Sequence, residues 1–225
     1  MSTITNPGVK QDMIRQNTTK HNAILNQAIL IFAADGFANG DVQTIANAAG
    51  VGKGTVYRYF GNKMDLFYAC TFTVGKLLVQ HVLAATEEPH SPIEKIRAAA
   101  RAYVEFFEET PEYLELLVQE RAEFRDVKPE AHYQYHNSII DEFSDILQAA
   151  IDAGEIQPVD VRTTLISMSN VLFGSVVHSW SHVLPEGSKE TPATLAVNAI
   201  DVFIRGLQVD PTVDVRNGSE RRIGQ

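Results

Sequence analysis

The chain has 225 residues, 44% of them hydrophobic and 8% aromatic, enough to bury a core in one or two domains. A single cysteine, Cys70, excludes an internal disulfide and fits a reducing, cytoplasmic setting. The net charge of −9 argues against a nucleic-acid partner for the chain as a whole, but six Lys/Arg against four Asp in residues 1–65 give +2 there and leave −11 for the remainder.

The opening stretch, MSTITNPGVKQDMIRQNTTK, lacks the apolar centre of a secretory signal, and residues 1–17 are expected to form a flexible arm. A first helix is predicted over Thr18–Asp35, with Ile24, Leu25, Ala28, Ile31 and Phe32 as its apolar stripe. Asp41 is the predicted cap of a second helix, because its carboxylate can accept a free backbone N–H. Gln43 to Ala49 carries Ile45, Ala46 and Ala49 at helical spacing. Gly50 ends that helix, since glycine tolerates the left-handed backbone a tight turn needs. Val51 anchors the turn. A third helix opens at Gly52-Lys53-Gly54-Thr55, with Val56 and Phe60 facing inward and Lys53, Thr55, Tyr57 and Arg58 left outside.

Asn62 starts a long fourth helix, NKMDLFYACTFTVGKLLVQHVLAA. No apolar run is expected to reach the length of about 20 residues that a membrane span requires. Ser91-Pro92 and Thr110-Pro111 open two more helices, the former with Ile93, Ile96, Ala100, Tyr103, Val104 and Phe107 as its stripe. Helices are then predicted from Pro129 to Ala153, stopped by Gly154, from Pro158 to Trp180, and from Ala193 to Leu207. Residues 209–225 form a polar tail, expected to be disordered. No alternating strand-like run is present, so the fold class is all-α.

Two short helices joined by a glycine turn, the second displaying Lys, Thr, Tyr and Arg, form a helix-turn-helix suited to a groove of phosphates and base edges. The run Ile45-Ala46-x-x-Ala49-Gly50-Val51-x-Lys53-Gly54-Thr55-x-Tyr57-x-Tyr59-Phe60-x-x-Lys63-x-x-Leu66 resembles the DNA-binding segment of TetR-family transcriptional regulators. Ile24–Phe37, ILNQAILIFAADGF, resembles that family's first helix. The likeness covers the first third of the chain at residue level and is architectural beyond it. It implies a three-helix DNA-binding domain at 18–65 and a larger helical ligand-binding and dimerisation domain at 66–208. By resemblance, Gln43, Thr44, Lys53, Gly54, Thr55, Tyr57, Arg58, Tyr59 and Lys63 fall at DNA-contacting positions. Arg58 is the expected reader of guanine, and Lys63 with the start of the fourth helix matches a phosphate clamp. Two residues depart from the family's habit: Gly52 stands where Ser or Thr is frequent, and Asp41 where Thr is common. Both weaken the implied phosphate contacts at those points.

The aromatics Phe72, Tyr103, Phe106, Phe107, Phe124, Tyr133, Phe143, Phe173 and Trp180 are mostly core residues by default. Polar Glu120, His136, Asn137 and Asn170 lie among them, and inward-facing ones need partners. The resemblance implies an effector pocket in the larger domain, for which Tyr103, Phe107, Glu120, Phe124, His136, Asn170 and Phe173 are the candidate lining residues. The expected partners are a palindromic double-stranded operator, a small-molecule effector and a second copy of the chain. The copy is expected through the last two long helices, where Gly174, Ser175, Ala196 and Ala199 permit close approach. A two-fold dimer would then set two recognition helices roughly 34–36 Å apart, and so few cations per chain call for two copies.

The pairs His132/His136 and His178/His182 are each four apart, a spacing that can hold a metal, but no third ligand accompanies them. No metal, cofactor or membrane partner is expected. Nor is enzymatic activity, since Lys53-Gly54-Thr55 follows no strand and no Ser/His/Asp signature is visible. Two rival readings remain open: a helical enzyme or small-molecule carrier with a vestigial motif, and a DNA binder that takes no ligand.

Overall fold

The computed structural model describes residues 7–123, 130–179 and 191–208. Among these, helices dominate, and the one extended feature is an isolated antiparallel bridge between Ile156 and Gln208. The chain divides into two compact units, Met1–Ala84 with Ala102–Ile139, and Ala85–Arg101 with Ile140–Gln225.

In the first unit, α1 spans Pro7–Asn39 and is broken at Gly36, whose φ of 79° suits a residue without Cβ. Residues 7–17, expected as part of a flexible arm, are therefore helical. Pro7 presets a helical φ at the first turn, and past Gly8 no glycine or proline interrupts the chain before Gly36. Residues 1–6 lie outside the described ones. α2 (Val42–Ala48), α3 (Lys53–Phe60) and α4 (Lys63–Ala84) follow. Ile24, Ala28, Phe32, Ile45, Ala46, Val56, Leu66 and Phe67 are buried and form the core of this end of the chain. Phe32 meets Phe67 edge-to-face at 5.3 Å, and Phe37 meets Phe67 at 5.1 Å. Each fully buried aromatic or branched side chain contributes about 1.5–3 kcal/mol, so this small bundle is held chiefly by the stripes visible in the sequence.

The unit is wider than the 18–65 segment anticipated for DNA binding. α6 (Pro111–Glu123) packs on both α1 and α4, and so belongs to the same body. The expectation that no segment reaches membrane-spanning length also needs correction: α4 is long and apolar enough by length and composition. Its apolar side chains have another use, because Leu66, Phe67, Cys70, Val74, Leu78 and Val82 are buried within the protein. Phe72, expected in the core, is 41% exposed. It sits on the opposite side of α4 from Phe67, Cys70 and Val74, where the helical period carries it.

In the second unit, Ile93, Ile96 and Ala100 of α5 (Pro92–Glu109) are buried, as are Ile140, Phe143, Leu147 and Ala150 of α7 (Glu130–Asp152). α8 (Val161–Ser179) begins later than Pro158, because the Asp160 carboxylate caps it, accepting from the Thr163 N–H at 2.8 Å. α9 (Pro192–Leu207) is capped by Thr191, which accepts from the Thr194 N–H at 3.1 Å. α8 packs on α9, and Leu165, Met168 and Val176 of α8 and Ala196, Ile200 and Ile204 of α9 are buried. The Gln157 N–H donates to the Leu207 carbonyl at 2.8 Å and closes the end of α9. Arg97 and Asp201 form an ion pair at 2.6 Å between α5 and α9.

Candidate nucleic-acid interface

Asp41 caps α2 as its sequence position implies. Its Oδ2 accepts from the Thr44 N–H at 3.0 Å and from the Thr44 hydroxyl at 3.1 Å. The backbone N–H groups of Gln43 and Thr44 hold its carboxyl below the ordinary value, against desolvation that outweighs the further lowering by the Thr44 hydroxyl or the Lys53 charge taken singly. Gln43 donates from Nε2 to Asn47 Oδ1 at 2.9 Å. Gln43 and Thr44 are thus exposed but tied to neighbours on the α2 surface. The turn closes through Gly50, at φ 65°, and the Val51 N–H donates to the Ala46 carbonyl at 2.9 Å.

α3 follows from Gly52, which adopts the extended cap conformation with no side chain to bond the first turn. The Thr55 N–H donates to the Gly52 carbonyl at 2.8 Å, while the cap has no side chain to take the N–H groups of Lys53 and Gly54. A Cβ built on Gly52 or on Gly54 would meet nothing within 4 Å. Among the described residues nothing demands glycine at Gly54, although glycine costs a helix about 0.8–1.0 kcal/mol relative to alanine in its interior. Val56 and Phe60 face inward, as expected, at 1% and 8% exposure. Tyr57 and Arg58 are exposed, while Lys53 and Thr55 are half-exposed. Lys53 Nζ lies 6.0 Å from the Tyr57 ring centre and Arg58 Cζ 5.5 Å from that of Tyr59. The tip of α3 is thus a cationic and aromatic ridge with backbone exposed between its side chains.

Tyr59 is half-buried, its ring 5.8 Å from that of His21 on α1, a neighbour that no local sequence pattern announces. Lys63 is half-exposed and turned toward the end of α1: its ammonium donates to the Ala38 carbonyl at 3.0 Å and stands 5.1 Å from the Phe37 ring centre. The start of α4 is capped by Asn62, whose Oδ1 accepts from the Asp65 N–H at 2.9 Å.

The described effector candidates fall in both units. Tyr103 and Phe107 pair edge-to-face at 5.2 Å in the first unit, and Phe107 is fully buried. Glu120, 6% exposed, accepts from the Thr71 hydroxyl at 2.9 Å in the same unit. Burial, followed by the charges of Glu120 and Asp65, pushes the Tyr68 phenol up. Asn170 and Phe173 belong to the second unit, and Asn170 is exposed rather than inward. Leu165, Met168 and Val176 define the inner face of α8, which leaves Asn170 on the outward row Ile166, Asn170, Gly174. Phe124, Trp180 and His182, and the side chains of His132, Tyr133, His136, Asn137 and His178, lie outside the described residues. Among the described residues no group of three or more His, Cys, Asp or Glu is placed to hold a metal ion.

Residues 24–70 match the family model for bacterial regulatory proteins of the tetR family, and residues 89–207 match that for the tetracyclin repressor-like C-terminal domain. The HTH-type transcriptional regulator YhgD of Bacillus subtilis (strain 168) is 30% identical over 174 residues, 76% of this chain and 90% of that protein. A TetR family transcription regulator from Marinobacter aquaeolei VT8 superposes with a TM-score of 0.70 at 20% identity, covering 87% of this chain and 99% of its own. The fatty acid degradation regulator FadR from Bacillus halodurans does so with a TM-score of 0.70 at 19% identity, covering 82% and 94%. With both halves of the chain matched and an exposed reading helix at its amino end, the protein belongs to the tetR family of bacterial regulatory proteins and is a DNA-binding transcriptional regulator.

Proposed function

We propose that the protein is a homodimeric repressor, working in the cytoplasm, whose two α3 helices enter successive major grooves of a palindromic operator and are released by a small-molecule effector. The observation that carries the reading is Gly54. A helical glycine with open space around it and no internal reason to lack a side chain suits a backbone that another molecule approaches closely. Lys53, Thr55, Tyr57 and Tyr59 flank that point as phosphate and groove contacts, and Arg58 is the base reader. Gln43 and Thr44 add contacts from α2. Lys63 acts through its charge and its hold on the Ala38 carbonyl, which keeps α4 against the end of α1.

The second copy is proposed to dock on α8 and α9. Val202 is 69% exposed and Ile166 40%, and a Cβ at Gly174 or Gly206 would meet nothing within 4 Å. Apolar side chains interspersed with glycine on outward helix faces suit a close helix–helix contact. The effector is proposed to act where α4 meets α6 in the first unit, near Glu120, with Tyr103 and Phe107 as aromatic neighbours. Glu120 joins α6 to α4 through Thr71, and Gln119 of α6 donates to the Ala33 carbonyl of α1 at 3.3 Å. A ligand that bound better once these links were broken would shift the population away from the DNA-binding arrangement.

Selection of bound duplexes from a random pool tests the reading. A palindrome with half-sites one helical turn apart is expected, with affinity falling steeply as salt rises. Arg58→Ala is expected to lose discrimination at one base position per half-site, by about 1–3 kcal/mol. Recovery of no shared sequence, or uniform weakening of Arg58→Ala across all duplexes, would refute base reading by Arg58.

A further inference from the structure

We propose that His21 of α1 is a positioning residue for the recognition helix: it holds Tyr59, and through Tyr59 the guanidinium of Arg58, in the orientation from which Arg58 reads its base. The proposal rests on the base-reading role assigned to Arg58 above. Four side chains form a ladder. The imidazole of His21 stacks on the Phe60 ring, with centroids 4.8 Å apart and planes at 28°. Phe60 is 8% exposed, so the lowest rung is fixed in the core. The Tyr59 ring meets His21 nearly at right angles, at 77° and 5.8 Å. The Arg58 guanidinium stands 5.5 Å from the centre of the Tyr59 ring.

The ladder matters because of where α3 stops. The helix ends at Phe60, which puts Tyr59 in its last turn. A surface arginine has a long, freely rotating stem, and an aromatic ring beside its planar head restricts it. That restriction is useful only if the ring itself is held. His21, from another helix, provides that wall. Packing on Phe60 alone would be met equally well by any apolar side chain. The edge-on contact with Tyr59 needs a ring at that place, and His21, half-exposed, reaches from the core to the DNA-facing rim. Fixing the Arg58 fork before binding spares ordering cost on the correct sequence, where both of its donors are used, more than on a wrong one.

The test uses the duplex enriched from a random pool and its variant changed at the base pair that Arg58 reads, with the full chain as wild type, Arg58→Ala, His21→Leu, His21→Phe and the His21→Leu/Arg58→Ala double variant. Leucine fills the space against Phe60 and keeps the fold while removing the ring. His21→Leu is expected to lower the preference between the two duplexes about three- to tenfold, the size of one aromatic contact. His21→Phe is expected to restore it, and the double variant to discriminate no worse than Arg58→Ala alone. Equal weakening on both duplexes, failure of phenylalanine to rescue, or multiplying effects in the double variant would overturn the positioning role while leaving base reading intact. An Arg58→Ala protein that keeps the full preference would overturn both.

Discussion

Gly54→Ala separates what the fold wants from what the partner wants. Inside the protein the new methyl group meets nothing within 4 Å, and α3 gains a better helix former in its first turn. Loss of glycine's backbone freedom in the unfolded chain favours the variant by about 0.5–1 kcal/mol. For a chain of this size that is a rise in melting temperature of about 1–4 °C. On DNA the sign reverses. An N–H to phosphate hydrogen bond requires N···O of about 2.9 Å, and a methyl group standing off the backbone holds the phosphate away. Losing one charge-assisted bond costs about 1.5–3 kcal/mol, or roughly ten- to a hundredfold in affinity. The assays are a thermal melt followed by circular dichroism and a fluorescence-anisotropy titration on the selected duplex at fixed salt. The expected outcome is a protein that melts higher and binds weaker. A variant that binds as tightly as wild type would refute the close-approach argument, and one that melts lower would refute the claim that the fold leaves room for a side chain.

Val202→Glu places a charge on the outward face of α9 without touching the core, since Val202 is 69% exposed. The variant is expected to keep its helical spectrum, sediment as a monomer and lose tight operator binding, and an undiminished dimer would exclude this face as the contact. Asp41 gives a pH dependence of defined sign. Its carboxyl is held below the ordinary aspartate value by the backbone N–H groups of Gln43 and Thr44, so the capping stability is present above the unfolded value and lost as pH falls through the lower folded one. Asn at this position still caps but does not titrate. The stability advantage of wild type over Asp41→Asn is therefore expected to shrink on acidification below about pH 4, and an advantage unchanged from pH 6 to pH 3 would show that the cap does not titrate with folding.

Much of the reading helix was legible because its determinants are local. The Asp41 cap, the Gly50 turn, and the inward Val56 and Phe60 are set by neighbours three or four residues away, and each stands where the pattern put it. Residues 7–17 depart from the expected flexible arm for a local reason too, since Pro7 is a helix starter as readily as a loop residue. Side-chain direction is different in kind. Residue type alone suggests an inward Phe72 and leaves Asn170 undecided, whereas the faces of α4 and α8 that turn inward are chosen by the helices they meet.

The amino-acid sequence by itself determined that this chain is helical, where its DNA-reading motif begins and ends, and which of the motif's side chains are apolar enough to be inside. Those are consequences of period, caps and turn residues, all short-range. Tertiary structure alone decided that Lys63 reaches back to Ala38, that Glu120 bonds Thr71, and that His21 stands against Tyr59 and Phe60. These pairs are far apart in the chain, and no repeat or spacing encodes them. They come together because buried apolar stripes fix the helices against one another, and polar and aromatic groups then take the partners that geometry leaves within reach.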